Sequence, residues 1–116
     1  MTTGGISRPT TLLADAVAIV ADAYNTYQVE CAGFRWAMVR VNCNQVHGMF
    51  LQGMGQPGGD SGDLYEGMTK LSATGYSAST AHCHVINIAP VGTLQILVHN
   101  ENTGSDGTCT VEVTLS

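Results

Sequence analysis

The residues of this 116-residue chain best equipped for chemistry stand together at His82-Cys83-His84. On an extended strand, residues two apart point to the same face. His82 and His84 would then sit side by side, and both imidazoles could converge on one metal ion. Asp60, Asp63 and Glu66 place carboxylates in and beside a glycine-rich segment, where they and loop carbonyls could hold calcium. Their spacing is not that of an EF-hand loop. Phe34, Trp36, Tyr65 and Tyr76 could stack on sugar rings if exposed. The chain has only seven aromatic residues, counting one Trp, four Tyr and two Phe, so a core needs most of them.

Two short stretches resemble enzyme motifs. His82 and His84 resemble the first cupin motif, in which a glycine precedes a His-x-His pair and an acidic ligand follows. Gly75 stands seven residues before His82, one more than that motif has, and Val85 to Pro90 is wholly non-acidic. Pro90 and Gly92 resemble the second cupin motif, with Gln95 where its histidine belongs. The resemblance implies a metal-dependent enzyme but lacks two of its four ligands. Gly59-Asp60-Ser61-Gly62 resembles the surroundings of the nucleophile in chymotrypsin-like proteases. Asp63 replaces the glycine expected next, and those double barrels are about twice as long. A serine nucleophile needs a base and a preorganised oxyanion hole on a rigid scaffold. Ser61 is read as a loop residue, and neither catalysis nor a cofactor is expected.

The elements that would position these groups read as strands. In residues 93–100, Leu94, Ile96 and Val98 alternate with Thr93, Gln95 and His99; Leu97 is the one apolar residue on the polar side. Residues 101–107 are turn chemistry. In residues 108–116, Cys109, Val111, Val113 and Leu115 alternate with Thr and Glu. The expectation is an antiparallel hairpin with one buried face. Residues 26–33 put Tyr27, Val29 and Cys31 on one face. Residues 34–43 put Ala37, Val39, Val41 and Cys43 on one face and Phe34, Trp36, Met38 and Arg40 on the other. That second face fits either a core or an interface with another chain.

Residues 12–23 fit a helix by spacing and by their five alanines, or a strand buried on both faces; the strand is preferred in a β context. Residues 45–52 and 82–88 read as strands, the latter stopped by Pro90. Residues 64–71 read as a short strand or irregular turn. Residues 53–62, with five glycines and a proline, and residues 72–81 read as loops. About seven or eight short strands predict an all-β fold, a single β-sandwich or jelly roll at 12–116 behind an extended N-terminal arm at 1–11.

Composition narrows the function. The charged fraction is 11%, where soluble domains carry roughly 25%. A free monomer normally covers itself with Lys and Glu. Here Lys70, Arg8, Arg35 and Arg40 are the only cations besides histidine, and the net charge is −5. Nucleic acid is excluded as a partner, since phosphate binding needs clustered cations. No apolar run suits a membrane span or a signal peptide, so synthesis in the cytosol is expected. The four cysteines are spaced 12, 40 and 26 apart with no Cys-x-x-Cys, and buried free thiols are expected.

A small β domain with a polar arm, few charges and long Gly/Ser/Thr loops resembles small virion proteins of the phage head-decoration (cement) type. That resemblance implies a structural protein located in the virion. It would be a homo-oligomer, expected as a trimer, docking on a major capsid or other virion protein and stabilising the assembled capsid or tail lattice. Arg8, Phe34, Trp36 and Met38 are the expected contact residues. The alternatives are a carbohydrate-binding β-sandwich module, marked by two or three exposed aromatics on one face, and the cupin-like enzyme with metal at His82 and His84.

Overall fold

A computed structural model describes residues 10–54, 62–63, 65–66, 69–70, 72–89 and 91–116. Its strands are β1 (Thr10–Ile19), β2 (Tyr24–Glu30), β3 (Trp36–Cys43), β4 (His47–Met54), β5 (Gly62–Asp63), β6 (Tyr65–Glu66), β7 (Thr69–Lys70), β8 (Ser72–Tyr76), β9 (His82–Asn87), β10 (Thr93–Asn100) and β11 (Gly107–Leu115). One antiparallel sheet runs β1-β11-β3-β9. The other runs β2-β10-β4, with β8 and the short β5 both paired to β4. With β5 to β7 set aside as an excursion between β4 and β8, two four-stranded sheets face each other. Consecutive strands mostly alternate between them. This is the jelly-roll form of the β-sandwich, and the all-β expectation holds.

The core follows from strand parity. Ala37, Val39, Val41 and Cys43 of β3 and Cys109, Val111, Val113 and Leu115 of β11 line one inner face. Leu94, Ile96 and Val98 of β10 and Met49 and Leu51 of β4 line the other. Each fully buried Ile, Leu or Val contributes about 1.5–3 kcal/mol relative to exposure. Their strict alternation locks the register, because a one-residue slip would turn every one of them to water. All four cysteines are free; Cys31, Cys43 and Cys109 are buried, as expected, and Cys83 is exposed.

The predicted closing hairpin is not formed. β10 pairs with β2 and β4, and β11 pairs with β1 and β3, so the two strands lie in opposite sheets. The polar segment between them is an arch. Asn100 anchors it: its side chain is fully buried, donates to Ile19 O at 3.2 Å and Ser105 O at 2.9 Å, and accepts from Asn102 N–H at 3.0 Å. Other amides continue the tie. Asn102 Nδ2 donates to Gln45 Oε1, and Asn44 Oδ1 accepts from Thr108 N–H. Gly107 leaves room for these amides: a Cβ there would stand 2.5 Å from Asn44 Oδ1 and 2.7 Å from Gln45 Cγ, so both side chains would have to shift.

Three other expectations are corrected. Residues 12–23 do contribute a strand, but β1 is a sheet edge rather than a strand covered on both faces. Only Ala14 and Ile19 are buried along it. Those two are five residues apart, an odd number that would put them on opposite faces. Register shifts at Leu12/Ala14 and Ala14/Val17, with Ala16 at φ 50°, restore them to one face; Val17, opposite Cys109 on that same face, stays 42% exposed at the sheet edge. The segment 72–81 is not wholly loop, because β8 pairs with β4 through its backbone. It is an edge strand of small residues with Gly75 at φ 74°, so it lacks an apolar period. β4 extends to Met54, into the predicted loop. Residues 1–9 lie outside the described residues, and β1 already begins at Thr10, inside the span expected to be an arm.

Candidate functional site

Three places in this frame carry groups able to do something. The first is where the free edges of the two sheets meet. β9 is the edge of one sheet, and β8, paired to β4, borders the other. His82 and His84 lie opposite Val41 and Val39 of β3 and therefore point inward. There they meet His47 of β4, which is fully buried in register with Asn100, and Tyr76 of β8. His47 Nε2 lies 2.8 Å from His82 Nε2, His82 Nδ1 lies 2.9 Å from His84 Nε2, and the Tyr76 hydroxyl lies 3.0 Å from His84 Nε2. The Tyr76 ring stacks on His82 with centroids 3.6 Å apart at 10°.

The protons in this network follow from its end. The Gln45 carbonyl only accepts, so His47 Nδ1, 2.8 Å away, donates to it. A neutral His47 then accepts at Nε2 from His82 Nε2–H. A neutral His82 accepts at Nδ1 from His84 Nε2–H, which it shares with the Tyr76 oxygen. In this arrangement the hydrogen bonds run one way, from His84 through His82 and His47 to Gln45. Burial, and then the nearness of His47 and His84, hold the His82 pKa down to about 4. Burial lowers that of His84 and raises that of Tyr76. Among the described residues, no group of three or more His, Cys, Asp or Glu is arranged to hold a metal ion. His82 spends its two nitrogens on two different neighbours, so the three rings do not aim at one point.

The second place is the outer face of the β1-β11-β3-β9 sheet. Met38 lies beside Val85 across β3 and β9, and Trp36 lies beside Asn87. Val85 is 62% exposed, Trp36 47%, and Leu12 of β1 50%. Next to this apolar strip, Arg40 stands in register with Glu112 on one side and Cys83 on the other.

The third is the outer face of the other sheet. Tyr24 of β2 stacks on His99 of β10 at 4.1 Å and 7°, and lies 6.1 Å from the ring of Phe50 on β4. Asp22 Oδ1 receives His99 Nε2–H at 3.0 Å. Two rows along, Gln28 donates to Gln95 at 3.0 Å and Gln95 to Gln52 at 2.7 Å, an amide row across three strands.

The expected contact residues do not share one face. Trp36 and Met38 point outward together. Phe34 precedes β3, where its N–H donates to Cys31 O, and its half-buried side chain packs against the core. Arg8 lies outside the described residues, as do Gly59, Asp60 and Ser61 and the side chains of Asp63, Tyr65 and Glu66. The expected sugar-stacking aromatics are likewise dispersed: Trp36 is on one sheet and Tyr76 is in the histidine network. Tyr24, Phe50, His99 and His47 were missed. His47 could have been found, because it shares the 47/49/51 alternation with Met49 and Leu51. The meeting of Tyr24 with Phe50 could not, because β2 and β4 flank a strand from much later in the chain.

No family model matches the chain, and no curated protein matches it. Among solved structures, the SPBc2 prophage-derived protein YomS superposes with a TM-score of 0.61 at 10% identity, covering 95% of this chain and 94% of that one. The structure of infectious bursal disease virus Gx strain gives 0.58 at 11% identity, over 94% of this chain and 31% of that one. Tripeptidyl peptidase 2 gives 0.61 at 10% identity. The match covers 93% of this chain but only 10% of that large enzyme. At such identities these likenesses establish a shared β-sandwich fold.

Proposed function

We propose that this is a structural virion protein that binds and stabilises an assembled capsid or tail lattice as a symmetric oligomer, a trimer being the form expected. The observation that carries this reading is the apolar strip of Trp36, Met38 and Val85 on the outer face of β3 and β9, in a chain only 11% charged. Trp, Met and Arg are enriched where proteins meet, and Arg40 borders the strip. The presence of this fold in a prophage-derived protein and in a virus structure supports the same reading. The mechanism is passive: a protein that binds only the assembled state stabilises it by mass action. Size-exclusion chromatography with light scattering on the full chain checks it. An oligomer at micromolar concentration is expected, with Trp36→Ser plus Val85→Ser weakening association at least about tenfold, some 1.4 kcal/mol. A stable wild-type monomer that also ignores assembled shells would remove the proposal.

A second reading, a carbohydrate-binding module, is favoured by the Tyr24, Phe50 and His99 cluster. A rigid exposed ring suits the apolar face of a sugar, and planar amides suit its hydroxyls. From the Tyr24 row to the Gln28 row is four residues, about 13 Å of strand, enough for two or three sugar units. The platform is nearly neutral, which matches uncharged glycans. Affinity electrophoresis in gels cast with neutral polysaccharides tests it, with retardation expected for the wild type and lost in Tyr24→Ala. Equal mobility of the two proteins in every gel would dismiss it.

A further inference from the structure

β9 carries two things at once. Its outer side holds Val85 of the apolar strip and the neighbouring Cys83, and its inner side holds His82 and His84. It is an edge strand, bonded to β3 alone within its sheet. Its polar links to the opposite sheet run through the two imidazoles, His82 to His47, His82 over Tyr76, and His84 to Tyr76, while Ile86 at its far end is buried in the core. We propose that this network is an acid-sensitive latch that fixes β9 against β4 and β8, and so governs the assembly face that β9 bears. The second half rests on assigning assembly to that face.

The physical basis is that no counter-charge faces the network among the described residues. Among the described residues, the titratable groups facing His82 are His47 from β4, Tyr76 from β8 and His84 from β9 itself. β3 contributes Val41 and Val39 opposite the two histidines, and the Cys43 thiol next along its inner face is kept protonated by burial. Glu101 from beyond β10 spends its carboxylate on Gly75 N–H at 2.7 Å, holding the backbone of β8 rather than an imidazole. Arg40 and Glu112 are on the outer face, behind the sheet. A proton added to the network therefore puts a cation between two sheets where, among the described residues, imidazoles and a phenol are the titratable groups around it. A second proton meets the first at hydrogen-bond distance. The chain relieves both costs by letting β9 lean away from β4 and β8 while its bonds to β3 persist. The strip loses its shape, and copies held through it separate.

Amide hydrogen exchange on the full chain in EDTA, at pH 7.5 and pH 5 and corrected for intrinsic rates, tests the latch. Protection in residues 72–88 should fall at least about tenfold on acidification relative to β10 and β11. In His82→Phe, which keeps a ring to stack on Tyr76 without a titratable nitrogen, most of that acid-induced fall should disappear. Wild-type β9 protection that tracks β10 and β11 at both pH values would overturn the latch even if that variant failed to fold. Light scattering in parallel separates the two proposals. Selective loss of β9 protection in a chain monomeric at both pH values retains the latch and removes the assembly reading. An oligomer with unchanged β9 protection removes the latch alone.

Discussion

Replacing Asn100 by Leu is expected to lower the unfolding free energy by about 3 kcal/mol. The side chain is fully buried, and three backbone groups depend on it: Ile19 O, Ser105 O and Asn102 N–H. Leucine fills the volume and serves none of them. Each buried group left without a partner costs about 1–3 kcal/mol, and those nearer the arch surface recover part of it from water. Asn100→Asp separates the contributions, since a carboxylate can still accept from Asn102 N–H but donates to neither carbonyl. Urea denaturation measures both variants, with a shifted midpoint at unchanged slope as the expected sign. A loss below about 1 kcal/mol for Asn100→Leu would mean that the arch is not held by this residue.

Acid should destabilise the wild type by an amount on the order of 3 kcal/mol between pH 6.5 and pH 4. His82 has a folded pKa of about 4 against an ordinary value of 6.5, because burial comes first and its imidazole neighbours second. Below pH 6.5 the unfolded chain takes up a proton at this residue that the folded chain refuses. Stability therefore falls as pH falls, and levels off once the pH has passed below the folded value. The downward shift at His84 acts in the same sense over the same side of the scale. Thermal melts across this range should show the loss, and His82→Phe should flatten much of the slope. A wild-type Tm that is constant from pH 6.5 to pH 4 would contradict the buried neutral network. This experiment reads global stability, whereas the exchange experiment reads β9 alone.

Much of the architecture is legible in the chain, and the places where reading fails share a cause. The buried faces of β3, β10 and β11 can be written down directly, since Val39/Val41 and Ile96/Val98 alternate without a break. A strand's period reports which side is covered but carries no record of its partner. β10 and β11 therefore look like a hairpin, when each has its neighbours in a different sheet. Edge strands are the second weakness. β1 hides its parity behind register shifts on either side of Ala14, and β8 needs only a backbone to pair with β4. At the candidate sites, the outward Trp36 and Met38 and the shared face of His82 and His84 follow from parity. Phe34, assigned outward by that parity, falls before the strand begins and turns to the core instead.

The order of residues along the chain, taken alone, determined that this is one small β-sandwich, that its charges are too few to cover it, and that two histidines lie on a common face. Folding decided what those histidines meet. His47 is 35 residues away from His82 in the chain, and only the apposition of the two sheet edges brings their nitrogens to 2.8 Å. The reason is that side-chain alternation is a local property, readable over a few residues, whereas a site between sheets is set by which strands the whole topology makes neighbours.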